Sequence, residues 1–121
     1  MLSELDYFSR RLGEEIGRLR RGNSSFRMVL FTSQPPDGEP PEVACVRGLP
    51  AVLTGVRDTD CVARIGTDTI AVILVDTDGE GSRKAALRLL EQIGDGAARW
   101  NIRVLDYPAI EPVLAELGLV A

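Results

Sequence analysis

The stretch from Arg57 to Asp78, RDTDCVARIGTDTIAVILVDTD, constrains the fold more than any other part of the chain. Cys61 to Ile65 and Ile70 to Val75 are short apolar runs rich in β-branched residues. Between them, Gly66-Thr67-Asp68-Thr69 supplies the flexibility and side-chain hydrogen bonding of a tight turn. The pattern predicts a β-hairpin, and the rest of the chain reads as its support.

Leu5, Phe8, Leu12, Ile16 and Leu19 recur at steps of three and four, which predicts a helix from Ser3 to Arg21 stopped by Gly22. Ser3 with Asp6 three residues on looks like a capping pair, and Arg18, Arg20 and Arg21 sit where cations favour the negative end of the helix dipole. Phe26 to Thr32 carries the continuous apolar run Met28-Val29-Leu30-Phe31, suited to a central strand covered on both faces. The proline-rich Ser33 to Pro41 is a loop. Glu42 to Val56 is predicted to be helical but broken at Gly48 and Pro50. After the hairpin, Asp78 to Gly81 reads as a turn and Ser82 as the N-cap of a helix to Ile93 ended by Gly94. Trp100 to Tyr107 returns as a strand, and a last helix starts near Pro112, runs to Leu117 and closes at Gly118.

This order predicts an α/β (α+β) fold over residues 1–121, with a single mixed, mostly antiparallel central sheet and helices packed on it. Met28, Leu30, Ile65, Val72, Leu74, Leu87, Leu90, Ile102 and Val104 are the expected core, with Ala86, Leu89, Leu90 and Ile93 on the inner face of the third helix. At 121 residues the chain is one domain, and with aromatics at 5% its core must be aliphatic.

Composition removes several kinds of chemistry. No histidine is present, which excludes Ser-His-Asp triads and histidine metal sites. Cys45 and Cys61 are far apart and are expected to be reduced, buried thiols. The formal charge is −4 and the arginines are dispersed, so no nucleic-acid footprint is expected. No signal peptide or membrane-length apolar run is read, so a cytoplasmic protein with no membrane contact is expected.

R-x-x-D at Arg57 and Asp60, then Gly66-Thr67-Asp68, then an apolar strand ending in Asp76-Thr77-Asp78, resembles the GGDEF (diguanylate cyclase) family. The turn Gly66-Thr67-Asp68-Thr69-Ile70 stands where the family signature would stand, with Gly66 and Asp68 as the fitting residues. The first helix is similar too, keeping F-x-x-x-L-x-x-E-I as Phe8, Leu12, Glu15 and Ile16. The resemblance implies that Thr32 and Gln34 replace the strand-end acids that hold magnesium in an active cyclase. It also places Arg57 and Asp60 at the family's product-binding inhibitory site.

Joining two GTP molecules needs a 3′-hydroxyl to attack an α-phosphate between metal ions held by converging carboxylates. With Thr32 and Thr69 where acids are needed, a catalytically inactive domain without metal or cofactor is expected. Thr67 in place of glycine opposes close phosphate approach. A simple polar hairpin turn is the favoured reading of Gly66-Thr67-Asp68-Thr69, ahead of any ligand role.

Arg57 can donate to a guanine O6/N7 edge and Asp60 can accept from the ring N–H and amino group. If so, the two are exposed neighbours, and Arg57→Ala weakens cyclic di-GMP roughly ten- to a hundredfold with little change in stability. The plainer alternative leaves Arg57 at a helix end and Asp60 before a strand. The functional expectation is a regulatory or protein-interaction module in bacterial signalling, self-associating or docking on a protein partner. The alternative is a cyclic di-GMP receptor through Arg57 and Asp60.

Overall fold

The computed structural model describes residues 2–22, 25–35, 38–94, 99–116 and 118. The element order is α1 (Leu5–Arg20), β1 (Phe26–Gln34), α2 (Pro41–Gly55), β2 (Cys61–Ile65), β3 (Thr69–Val75), α3 (Gly79–Ile93), β4 (Arg99–Leu105) and α4 (Tyr107–Glu116). The strands form one sheet in the order β2-β3-β1-β4, with every ladder antiparallel. An isolated parallel bridge joins Leu2 to Val62.

The two central strands explain the two continuous apolar runs. β3 is buried at every residue and β1 from Met28 to Phe31, because helices cover both faces of the sheet. On one face, Phe8, Leu12 and Ile16 of α1 and Ile110, Val113 and Leu114 of α4 pack on Met28, Leu30, Ala71 and Ile73. On the other, Cys45 and Val52 of α2 and Ala86 and Leu89 of α3 pack on Val29, Phe31, Val72 and Leu74. The period of two along β1 thus sends alternate residues to two separate helix layers.

Several local expectations are corrected. Ser3 does not cap α1; its N–H donates to Val62 O at 2.8 Å and its hydroxyl lies 3.3 Å from Cys61 Sγ. Tertiary pairing with β2 takes the group that local capping would have used. Asp78, not Ser82, caps α3, accepting from Gly81 N–H at 2.7 Å, while Ser82 is buried inside the helix and donates to Gly79 O. α4 starts at Tyr107, well before Pro112, behind Asp106, whose carboxylate accepts from Ala109 N–H at 3.3 Å; Leu117, its expected end, lies outside the described residues. Leu87 is 55% exposed, because the inner face of α3 is set by Ser82, Ala86 and Leu89 and Leu87 lies about 100° away from Ala86. Met28, Leu30, Ile65, Val72 and Leu74 are buried as expected, while Leu90, Ile102 and Val104 are half-buried.

The break expected in α2 is also absent: the helix runs through Gly48 and Pro50. Gly48 is a packing residue. A Cβ there would lie 2.7 Å from Trp100 Cζ2 and 3.1 Å from Cη2, so glycine lets the indole of β4 rest on the helix backbone. Gly55 does the same against α3, where a Cβ would stand 2.4 Å from Leu89 Cδ2. Docking on two elements offsets the weak propensity of α2 and the N–H missing at Pro50.

Gly48→Ala therefore sets a helix-propensity gain of about 1 kcal/mol against overpacking of about 1–3 kcal/mol. The expected net result is a loss of stability in urea with red-shifted emission from Trp100, the single tryptophan. Unchanged emission and a higher denaturation midpoint would contradict the close packing.

Candidate functional site

Two regions, at opposite ends of the β2–β3 hairpin, carry the residues that the sequence singled out. The first is the hairpin turn with the end of β1. Ile65 pairs with Thr69, so the turn is Gly66-Thr67-Asp68 and Thr69 belongs to β3. Gly66 takes the left-handed conformation at φ 61°, which leaves Thr67 in an ordinary one and explains how threonine is accommodated. Arg64 Nη2 donates to Thr67 O at 3.0 Å, and Ser33 N–H donates to Asp68 O at 2.9 Å, tying the turn to its own strand and to β1.

The β1–β3 and β1–β4 registers place Thr69, Thr32 and Asn101 in one row across three strands. They floor an open cleft of about 510 Å³, walled by Gly66 and Asp68 on one side and by Arg103 and Glu116 on the other. Thr32 Oγ1 lies 3.2 Å from Thr69 Oγ1, which in turn donates to Asp68 Oδ1 at 3.1 Å. Arg103 Nη2 is 3.7 Å from Glu116 Oε1. Among the described residues no group of three or more His, Cys, Asp or Glu is placed to hold a metal ion. The cleft offers hydroxyls, an amide, one carboxylate at the turn and one ion pair, a set suited to hydrogen bonding with neutral or weakly charged groups. Asn101, Arg103 and Glu116 carry no local sequence signal; only the pairing of β4 with β1 brings them beside the turn.

The second region is Arg57 and Asp60. They are neighbours, but the expectation that both are exposed is corrected: the Arg57 side chain is 56% exposed and that of Asp60 only 2%. Asp60 Oδ2 accepts from the Arg57 backbone N–H at 3.0 Å and from Nε at 3.2 Å. Asp60 Oδ1 accepts from Arg57 Nη2 at 3.0 Å and from the Val75 N–H at 3.1 Å. Arg57 Nη2 also donates to Val75 O at 2.6 Å and to Thr77 Oγ1 at 3.1 Å.

The physical reason lies in the sheet. The β2–β3 ladder ends at Cys61 opposite Ile73, while β3 continues to Val75. Val75 therefore lacks a strand partner on that side, and the Arg57–Asp60 pair satisfies both its N–H and its C=O. The two side chains stand in for the missing residue of an edge strand.

The hydrogen bond to Asp60 raises the Arg57 guanidinium above its ordinary value, with burial opposing. A cation whose folded pKa is raised contributes its stability at every pH below the ordinary value, so this part of the clasp does not vary through the neutral range.

Beside the clasp is a cleft of about 630 Å³ between the start of α1 and the α2–β2 connection, lined by Tyr7, Arg11, Leu53, Val56, Arg57 and Cys61 among others. Arg11 Nη2 donates to Thr59 O at 3.3 Å, holding the connection against α1. Of the two thiols, Cys45 is fully buried, and burial pushes it up, with Arg64 pulling the other way.

With this geometry the chain is similar to a number of solved structures, three of which follow. A DGC protein from Thermotoga maritima matches at 22% identity with a TM-score of 0.78, over 100% of this chain and 97% of that one. The GGDEF domain of TpbB (YfiN) from Pseudomonas aeruginosa matches at 18% identity with a TM-score of 0.73, over 88% and 72%. The diguanylate cyclase SiaD from Pseudomonas aeruginosa, in complex with its activator SiaC, matches at 14% identity and 0.75, over 97% of this chain and 52% of that one. No protein-family model matches the chain, and neither does any curated protein. The fold is that of the GGDEF domains of diguanylate cyclases.

The clasp predicts a stability effect that the sequence reading did not. Asp60→Ala leaves the Val75 N–H and Arg57 without their acceptor and is expected to lose about 2–4 kcal/mol in chemical denaturation. Arg57→Ala, at a more exposed position, is expected to lose about 1–2 kcal/mol. Equal, negligible losses in both variants would show that the end of β3 does not depend on the pair.

Proposed function

We propose that this chain is a catalytically silent GGDEF-like domain that acts as a regulatory, protein-interaction module in cyclic di-GMP signalling. The observation that carries the reading is the floor of the cleft at the hairpin turn. Thr32 and Thr69 hydrogen-bond to each other there, and Asp68 is the only carboxylate on the turn itself. Phosphoryl transfer between two nucleotides calls for acidic ligands converging on metal ions, and two threonine hydroxyls beside one carboxylate do not supply that charge. A domain that keeps its core without that chemistry retains its surfaces. SiaD, which shares the fold, is a cyclase in complex with an activator protein, a precedent for partnership at the level of the fold.

The second reading, a cyclic di-GMP receptor, is favoured by the cleft beside Arg57, whose guanidinium is held in place by Asp60 yet remains more than half exposed. A guanine there would meet Arg57 directly. Contact with the Asp60 carboxylate would require it to release Val75, so Arg57 is the stronger recognition residue of the two.

Purified protein incubated with GTP and magnesium is expected to form no cyclic di-GMP above a no-enzyme control; accumulation of product overturns the silent reading. Calorimetry with cyclic di-GMP decides the second. Binding that falls roughly tenfold or more in Arg57→Ala while the variant stays folded supports the receptor, and no heat at high micromolar ligand removes it.

A further inference from the structure

The two edges of the sheet are finished differently. At β2, the N-terminal residues lie along the strand, with Ser3 N–H donating to Val62 O and Leu2 bridging Val62. Beyond β2, the Arg57–Asp60 clasp completes β3. At β4, no strand among the described residues pairs with the side away from β1. Exposed edges are ordinarily protected by lysine, proline, a bulge or a very short strand. β4 is seven residues long, RWNIRVL, without lysine or proline and with arginine as its only charged residue type, and its register with β1 runs unbroken from Leu105 opposite Met28 to Arg99 opposite Gln34. Trp100, Ile102 and Val104 pack on the α2–α3 side but stay only half-buried.

We propose that a second copy of this chain pairs antiparallel along the β4 edge, with the two-fold axis at Ile102, joining two four-stranded sheets into one of eight. In this register Trp100 stands opposite the partner's Val104, Asn101 opposite the partner's Arg103, and Ile102 opposite its own counterpart. Aromatic with β-branched and aliphatic with aliphatic are favourable cross-strand pairs, and amide with guanidinium avoids a charge conflict. A two-fold normal to the sheet keeps each side chain on its own face, so the apolar pairs extend the α2–α3 side of both sheets. The neighbouring registers are unfavourable. Moving the axis to Arg103 sets that arginine against itself, and moving it to Asn101 sets the amide against itself and takes it away from Arg103. Of these three alignments only the one centred on Ile102 places the Asn101 amide opposite Arg103.

The pairing deepens the interaction-module reading and rests on it. Asn101 is exposed, so its substitution tests the register without disturbing the core. Sedimentation is expected to show a wild-type monomer–dimer equilibrium. Asn101→Glu, facing Arg103 twice across the axis, should tighten it and Asn101→Arg should loosen it, each by roughly two- to thirtyfold. As a second measurement, Ile102→Cys should oxidise to a covalent dimer, whereas Leu87→Cys on the outer face of α3 should not. A wild type that stays monomeric at several hundred micromolar overturns the pairing while leaving the silent-domain reading to its GTP assay. So does a dimer whose affinity ignores both charge variants.

Discussion

The structure depends on a strand that has no exposed face. β3 is buried at all seven positions, with α1 and α4 beneath it and α2 and α3 above, and it is paired on both sides, with β1 and with β2. In such a place water cannot rescue an unpaired backbone group, so each N–H and C=O must find a partner inside the protein. The ladders provide partners until β2 runs out. From there the Arg57–Asp60 pair takes over at Val75, and Asp78 caps the helix that follows.

That requirement changes how a binding motif reads. Four donated hydrogen bonds converge on the Asp60 carboxylate, and its side chain is almost wholly shielded. A pair of residues placed for guanine recognition in a fold can also be the strut that finishes its sheet. The two roles overlap at Arg57, whose outer surface remains open while its inner edge is engaged.

The polar cleft illustrates the same coupling between sheet and site. Its floor is a single row across three strands, Thr69, Thr32 and Asn101, so its chemistry follows from register alone. A shift of β4 by one residue would turn Asn101 away and bring an apolar neighbour to the opposite face. The close approaches at Gly48 and Gly55 resist shifts elsewhere: Trp100 of β4 rests on α2, and α2 rests on α3, at distances that a single methyl group would disturb.

Much of the architecture was legible in the sequence. The hairpin, the amphipathic period of α1, the apolar run of β1 and the stop at Gly94 are local patterns, and each arises from forces acting within a few residues. Their order implied one sheet with helices packed on it, and the resemblance around Arg57 to Asp78 supplied the family-like fold. Where local reading failed, a distant partner had intervened. Ser3 was drawn to β2, Gly48 was absorbed by packing against Trp100, and Asp60 was claimed by the end of β3. Asn101, Arg103 and Glu116 joined the cleft through strand pairing that no local pattern announces. The sequence by itself determined which segments are helix and strand and which faces are apolar, because propensity and periodicity act along the chain. Only the tertiary structure decided which polar groups are spoken for, because a hydrogen-bond partner is chosen by distance in space.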